Sequence, residues 1–168
     1  MCQHVFVRRV LVGGTTAGVL ATAAMSTVFI AADRMRLIDR KPPQIIVDHF
    51  FPTSRTNTAD RTALLGHFAY GAAGGAGYAA FAYALRRSGR VNACSGFGYG
   101  LLVWAVSYEG WLPLVGVLPP AHRDRPGRAW TIVAAHIIYG ISLGLLCQPA
   151  DASRKVPARA LGSKRSAP

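Results

Sequence analysis

The chain predicts an all-α fold, an integral membrane four-helix bundle, and three observations carry that expectation. Long stretches are free of charge: residues 10–32, 62–85 and 129–150 have none, and residues 91–118 have only Glu109. Each stretch reaches the roughly 20 residues that cross ~30 Å of hydrocarbon. A pattern also occurs twice, as His67-x-x-Tyr70-Gly71-x-x-x-Gly75 and again as His136-x-x-Tyr139-Gly140-x-x-x-Gly144.

Both copies are preceded by another apolar run with its own Gly-x-x-x-Gly, Gly14/Gly18 in one and Gly96/Gly100 in the other. Each also follows a Pro-Pro pair, Pro42-Pro43 or Pro119-Pro120. The unit is a two-helix hairpin written twice. It holds an even number of spans, so the copies enter the membrane in one direction, as parallel pseudo-repeats about an axis along the membrane normal. The expected spans are about 10–32, 62–85, 91–118 and 129–148, in one membrane domain covering 1–150. Read along the sequence, Gly14 aligns with Gly96, Gly18 with Gly100 and Thr22 with Trp104.

Composition agrees with that class. Hydrophobic residues make up 51% of the 168 and charged residues 15%, against about 25% charged in a soluble domain. The net charge of +12 comes from basic residues at the ends of apolar runs, where membrane insertion selects them. The basic stretches lack interleaved aromatics and any nucleic-acid module, so no nucleic acid is expected as a partner. Cys2, Cys94 and Cys147 are too scattered for a disulfide framework or a zinc site, and thiols are expected.

Orientation follows from Lys and Arg. The N-terminus, the 86–90 loop and the tail together hold ten, and the opposite side holds nine. The dense Arg86, Arg87 and Arg90 cluster breaks the near-tie, giving cytoplasmic N- and C-termini in a bacterial inner membrane. A rival reading of the first span is a cleaved secretory signal ending at Ala21-Thr22-Ala23. Against it, the apolar run continues to Ala32.

Between the first two spans, Pro42-Pro43 can open a short helix. A segment at about 43–51 then places Ile46 with Phe50 and Val47 with Phe51 on one face, and Asp48 and His49 on another. That pattern suits the headgroup region. Residues 151–168 are basic, contain Pro and Ser and are aperiodic, and read as a disordered tail.

The glycines have a packing role. Lipid tails are as apolar as leucine, so helices associate in a bilayer where small residues let backbones approach. Gly14, Gly18, Gly71, Gly75, Gly96, Gly100, Gly140 and Gly144 are the expected helix-packing positions. His67 and His136 each lie one turn above a glycine, with Tyr70 and Tyr139 beside them. Three roles fit this pair: bracing of the bundle through hydrogen bonds, proton or ion handling, or a bis-histidine haem site. Glu109 is the single acid within an apolar run, and an intramembrane ionisable group is a functional candidate. At 100° per residue it lies about 160° from the Gly96/Gly100/Ser107 stripe, between Tyr108 and Trp111, which suits a carboxylate reaching water at the external interface.

The run Gly96-x-x-x-Gly100, Trp104, Ser107-Tyr108-Glu109-Gly110-Trp111-Leu112-Pro113, then Pro119-Pro120 and Ala135-His136-x-x-Tyr139-Gly140 resembles the YagU-like group of small bacterial inner-membrane proteins. The likeness covers roughly residues 10–147. It implies four spans in the inner membrane and supplies no reaction, cofactor or catalytic residue. With no nucleophile–base pair, phosphate loop or metal cluster in the sequence, neither an enzyme nor a cofactor is expected. The expected role is structural or interactive, with the lipid bilayer and a second copy or another membrane protein as partners. The alternatives are a small transporter or channel with a polar path near His67, His136 and Glu109, and a haem protein.

Overall fold

The structure, a computed structural model, describes residues 2–52, 56–85 and 91–148, and side chains within these from residue 10, leaving out those of residues 56, 84 and 85. The arginines of the 86–90 loop and the basic tail at 151–168 lie outside the described residues, as does the side chain of Cys2. The described residues are helical throughout, with no strand: α1 Cys2–Arg34, α2 Pro42–Phe50, α3 Thr56–Leu85, α4 Ala93–Trp104, a π-helix Ala105–Trp111, α5 Leu112–Leu114, a 3-10 turn Ala121–Arg123 and α6 Pro126–Leu146.

Local chemistry sets the ends. Asn92 caps α4 reciprocally with Ser95: its side-chain oxygen accepts Ser95 N–H at 3.1 Å, and Ser95 Oγ accepts Asn92 N–H at 3.0 Å. Pro126 opens α6 where its missing N–H costs nothing. Gly116, at φ 73°, follows the last turn of α5 in a left-handed conformation that suits glycine.

The third apolar run is not one α-helix. Pro113 lacks an N–H, and in α-register its ring would strike the carbonyl of Glu109, four residues earlier. The backbone widens into the π-helix just before it. Ser107 adds to the distortion by donating its hydroxyl back to Val103 O at 2.7 Å.

Among the described residues, two helices are long and apolar enough to cross a membrane: Val10–Arg34 within α1, at mean hydropathy 1.6, and Pro126–Leu146, at 1.7. Four such spans were expected. α3 has the length, but its glycines, tyrosines and His67 lower its hydropathy, and the run at 91–118 is divided by the π-helix.

The helices pair through their glycines. A Cβ on Gly18 would lie 2.3 Å from Gly71 O, and one on Gly75 would lie 2.3 Å from Gly14 O. The second pair repeats the contact, with Gly96 at 2.1 Å from Gly140 O and Gly140 at 2.2 Å from Gly96 O. Backbone meets backbone at both crossings. The partner assignments reveal a one-turn slip relative to the sequence alignment. Gly96 takes the place of Gly18 rather than Gly14, since each faces the first glycine of its His-x-x-Tyr-Gly helix. Gly100 accordingly corresponds to Thr22, which faces Gly71. The polar residue has no counterpart in the second hairpin, so matching glycine to glycine misplaced the register.

The pseudo-two-fold arrangement is also broken in one place. α1 and α6 pack along one another, whereas their symmetry counterparts α4 and α3 touch little. Those few contacts include Tyr78 O–H to Ser95 Oγ at 2.8 Å and Tyr99 O–H to Gly74 O at 2.8 Å. Away from that end the two helices gape. The core runs along the closed side through Ala21, Met25 and Phe29 of α1, Tyr78 and Ala82 of α3, Tyr108, and Ile132, Ala135 and Leu143 of α6.

α2 covers the gaping end. Val47 is buried and Ile46 partly so, while Phe50 and Phe51 are half exposed. The expected apolar face is thus shared between the core and the outside. Gln44 ties α2 to α3 by donating to Asp60 Oδ1 at 2.7 Å, and Arg40 pairs with Asp48 at 2.5 Å.

Candidate functional site

Where α3 and α4 part, a cavity of about 390 Å³ remains. Both sequence-repeat histidines line it, together with Tyr70, Tyr99 and Tyr139. Met25 and Phe29 of α1 form its back, Ile46 and Val47 of α2 its roof, and Ser107, Tyr108 and Trp111 its π-helical wall. The volume lies within the roughly 300–1,000 Å³ of small-molecule sites, which combine apolar walls with a few placed polar groups. Thr62, Gly66 and Tyr70 line it and are exposed, so it is open along α3.

The π-helix serves this wall. Its extra residue per turn turns Ser107, Tyr108 and Trp111 toward the cavity, a use often made of such insertions. Periodicity at 3.6 residues could not have foreseen it; the proline ahead was the available signal.

Each histidine has one ring nitrogen committed. His136 Nδ1 lies 2.8 Å from Ile132 O. A carbonyl only accepts, so Nδ1 carries the proton and Nε2 is left with a lone pair. His67 Nε2 lies 3.3 Å from Ser26 Oγ, whose own proton goes to Thr22 O at 2.7 Å. His67 therefore donates from Nε2 and keeps its lone pair on Nδ1. One-turn register explains the difference between them: Trp104 occupies in the second hairpin the place of Ser26 in the first, so His136 has no hydroxyl to bond. The buried indole N–H of Trp104 is itself without a partner.

Tyr139, buried, donates its O–H to Gly71 O at 2.6 Å and so links α6 to α3 across the cavity floor. Tyr70, by contrast, is 48% exposed and its hydroxyl makes no hydrogen bond with the described residues. Equivalent positions in the repeat thus serve different ends. Tyr139→Phe is expected to lower thermal stability by about 1 kcal/mol, the net worth of one hydrogen bond, and Tyr70→Phe to leave it unchanged. Melting curves of the two purified variants check this.

Glu109 lies elsewhere. It is exposed, does not line the cavity, and accepts Ala121 N–H at 2.9 Å, fixing the turn before α6. The histidines and tyrosines are brought together; the carboxylate is not one of their number. A second cluster, unforeseen from the sequence, lies at the start of α6. The Asp124 side chain is fully covered and holds Arg128 Nε at 2.8 Å, Arg125 N–H at 2.7 Å and the Tyr108 hydroxyl. Burial alone would raise its pKa, but the bonds from Arg128, Tyr108 and the Arg125 backbone outweigh that and hold it below 3.8. Arg125 also pairs with Asp39. No group of three or more potential metal ligands occurs among the described residues.

A family model matches residues 7–157, a stretch that takes in both glycine crossings and every cavity-lining residue: family of unknown function (DUF6789). The chain belongs to DUF6789. Membership brings no assigned activity, so the chemistry of the site in this DUF6789 protein rests on its own geometry. No curated protein and no solved structure matches the chain.

Proposed function

We propose that this DUF6789 chain is a four-span protein of a bacterial inner membrane, with both termini cytoplasmic, that holds a small apolar molecule between α3 and the π-helix. It acts as a binding protein rather than an enzyme. The cavity carries the reading: about 390 Å³, apolar-walled and open along α3.

Membrane residence is supported by the surface. Only 39% of the first apolar window and 44% of the second is buried within the chain. Leu65 is 71% exposed, Leu102 57% and Val106 56%. So much bare aliphatic surface suits lipid or a protein partner. The YagU-like resemblance, with its four inner-membrane spans, agrees with this.

Two other roles fit the geometry less well. All four Gly-x-x-x-Gly motifs, at 14/18, 71/75, 96/100 and 140/144, are used inside the chain, so a purely interactive protein would have to use other surface. A polar transport path would want Glu109 among the histidines, and its carboxylate is engaged outside them.

The test is membrane preparation followed by labelling. The protein is expected to stay with the membrane after alkaline extraction. A photoactivatable alkyl diazirine should label peptides of both α3 and residues 99–111 from within the cavity, and Val103→Trp, which fills that space, should abolish the paired labelling. Release into the alkaline supernatant overturns the membrane reading; labelling indifferent to Val103→Trp overturns the cavity reading.

A further inference from the structure

Resting on the cavity reading, the geometry points to the class of molecule it takes: we propose an apolar ligand headed by a hydroxyl, an alcohol or hydroquinone, whose O–H donates to the free imidazole nitrogen of His136 or His67.

The hydrogen bonds around the cavity set this class. Most hydroxyls lining the cavity have already spent their proton on a protein acceptor. Thr22 gives its to Gly18 O, Ser107 to Val103 O, Tyr99 to Gly74 O, Tyr139 to Gly71 O and Tyr108 to Asp124. The histidines are in the opposite condition. Both have spent a proton inward, His136 on Ile132 O and His67 on Ser26 Oγ, and each is left with a lone pair that no described group meets. A cavity arranged like this asks its occupant for donors. A hydroxyl supplies one, and its oxygen can accept the uncommitted O–H of Tyr70, which lines the same space. An ether, ester or quinone of the same shape brings only acceptors and leaves both imidazole nitrogens unmet.

The rest of the molecule must be apolar. Met25, Phe29, Ile46, Val47 and Leu118 surround the space, and among the described residues no carboxylate, lysine or arginine lines it. The opening along α3 is flanked by exposed Leu64 and Leu65, so a lipid-soluble alcohol can pass in sideways from the hydrocarbon without crossing water. His67 and His136 line the cavity together with Ile46 and Val47 of α2, so the hydroxyl end sits within it and a tail lies along the gap between α3 and α4.

The experiment compares matched probes on the purified full chain in nanodiscs. Farnesol is set against farnesyl methyl ether, and 2-methyl-1,4-naphthohydroquinone, kept reduced by dithionite, against its quinone. Tryptophan fluorescence reports binding. Farnesol or the hydroquinone is expected to bind about tenfold more tightly than its donor-free counterpart, the scale of one buried acceptor left unmet. Whichever pair shows the difference identifies the ligand's type. His136→Phe and His67→Phe are measured alongside after their melting temperatures are shown to match wild type. At least one is expected to bring the hydroxyl probe down to the level of its counterpart and leave that counterpart's binding unchanged. Equal binding within both pairs overturns the hydroxyl assignment while the cavity reading stands. Binding of no probe overturns both. A Soret band in the purified protein would overturn the assignment in favour of an iron porphyrin on these histidines.

Discussion

Gly75→Leu is expected to break the α1–α3 crossing and to cost the most of any single change considered. A Cβ there would lie 2.3 Å from Gly14 O and 2.5 Å from Gly18 Cα, backbone on both sides, so no side chain can turn away to make room. Overpacking a core typically costs 1–3 kcal/mol; with only main chain to yield, about 3 kcal/mol or more is expected. Gly140→Leu should do the same at the α4–α6 crossing, where Gly96 O is 2.2 Å away. Gly98→Leu is the control, because nothing lies within 4 Å of its added carbon. Thermal unfolding in one detergent reads all three. If Gly75→Leu melts with Gly98→Leu, the crossing is not where the structure has it. Gly71 offers a subtler case. Its added carbon would meet the side chain of Thr22, 1.8 Å from the hydroxyl oxygen, so Gly71→Ala should be rescued in part by Thr22→Gly.

The second large effect is at Asp124. Asp124→Asn keeps the shape and removes the charge that holds Arg128 and the Tyr108 hydroxyl. Stranding partners of a covered carboxylate is expected to cost roughly 3 kcal/mol. The pH dependence has a definite sign. The folded-state pKa lies below 3.8, so the stabilisation is complete above the unfolded value of about 3.9 and is lost as pH falls through the folded pKa. Wild type should therefore lose its margin over Asp124→Asn as the pH drops below about 4. Melting curves between neutral pH and pH 3 decide this. A margin that does not shrink between about pH 4 and pH 3 would show that the carboxylate acts through something other than its charge.

Legibility in the sequence followed the kind of signal. The glycine crossings were readable because Gly-x-x-x-Gly marks close helix approach whatever the neighbours. The repeat of His-x-x-Tyr-Gly marked both helices that supply the cavity's imidazoles. Register was not readable: Gly14, Gly18, Gly96 and Gly100 offer two alignments a turn apart, and the packing chose the one that sets Thr22 against Gly71. The short helix Pro42–Phe50 was visible from its prolines and its Ile46/Val47 face, but its place as a roof was not. The angle of Glu109 from the glycine stripe pointed to a carboxylate reaching water, and it is exposed; its partner, Ala121 N–H, lies in a turn twelve residues on and was not readable. The Asp124 cluster gave no signal at all, because an Asp beside several arginines in a loop ordinarily stays in water.

The sequence by itself determined the all-helical class and the glycine faces of the helices, because these depend on residue type at fixed spacing along one helix. Only the tertiary structure decided that the hairpins meet through α1 and α6 and part between α3 and α4. Two copies of one pattern would, by symmetry, pack alike on both sides. Pro113 and Ser107 distort just one of the four helices into a π-turn, and Trp104 stands where the other copy has Ser26. The second side, with those unlike residues, stays open between α3 and α4. The two histidines line the space that remains.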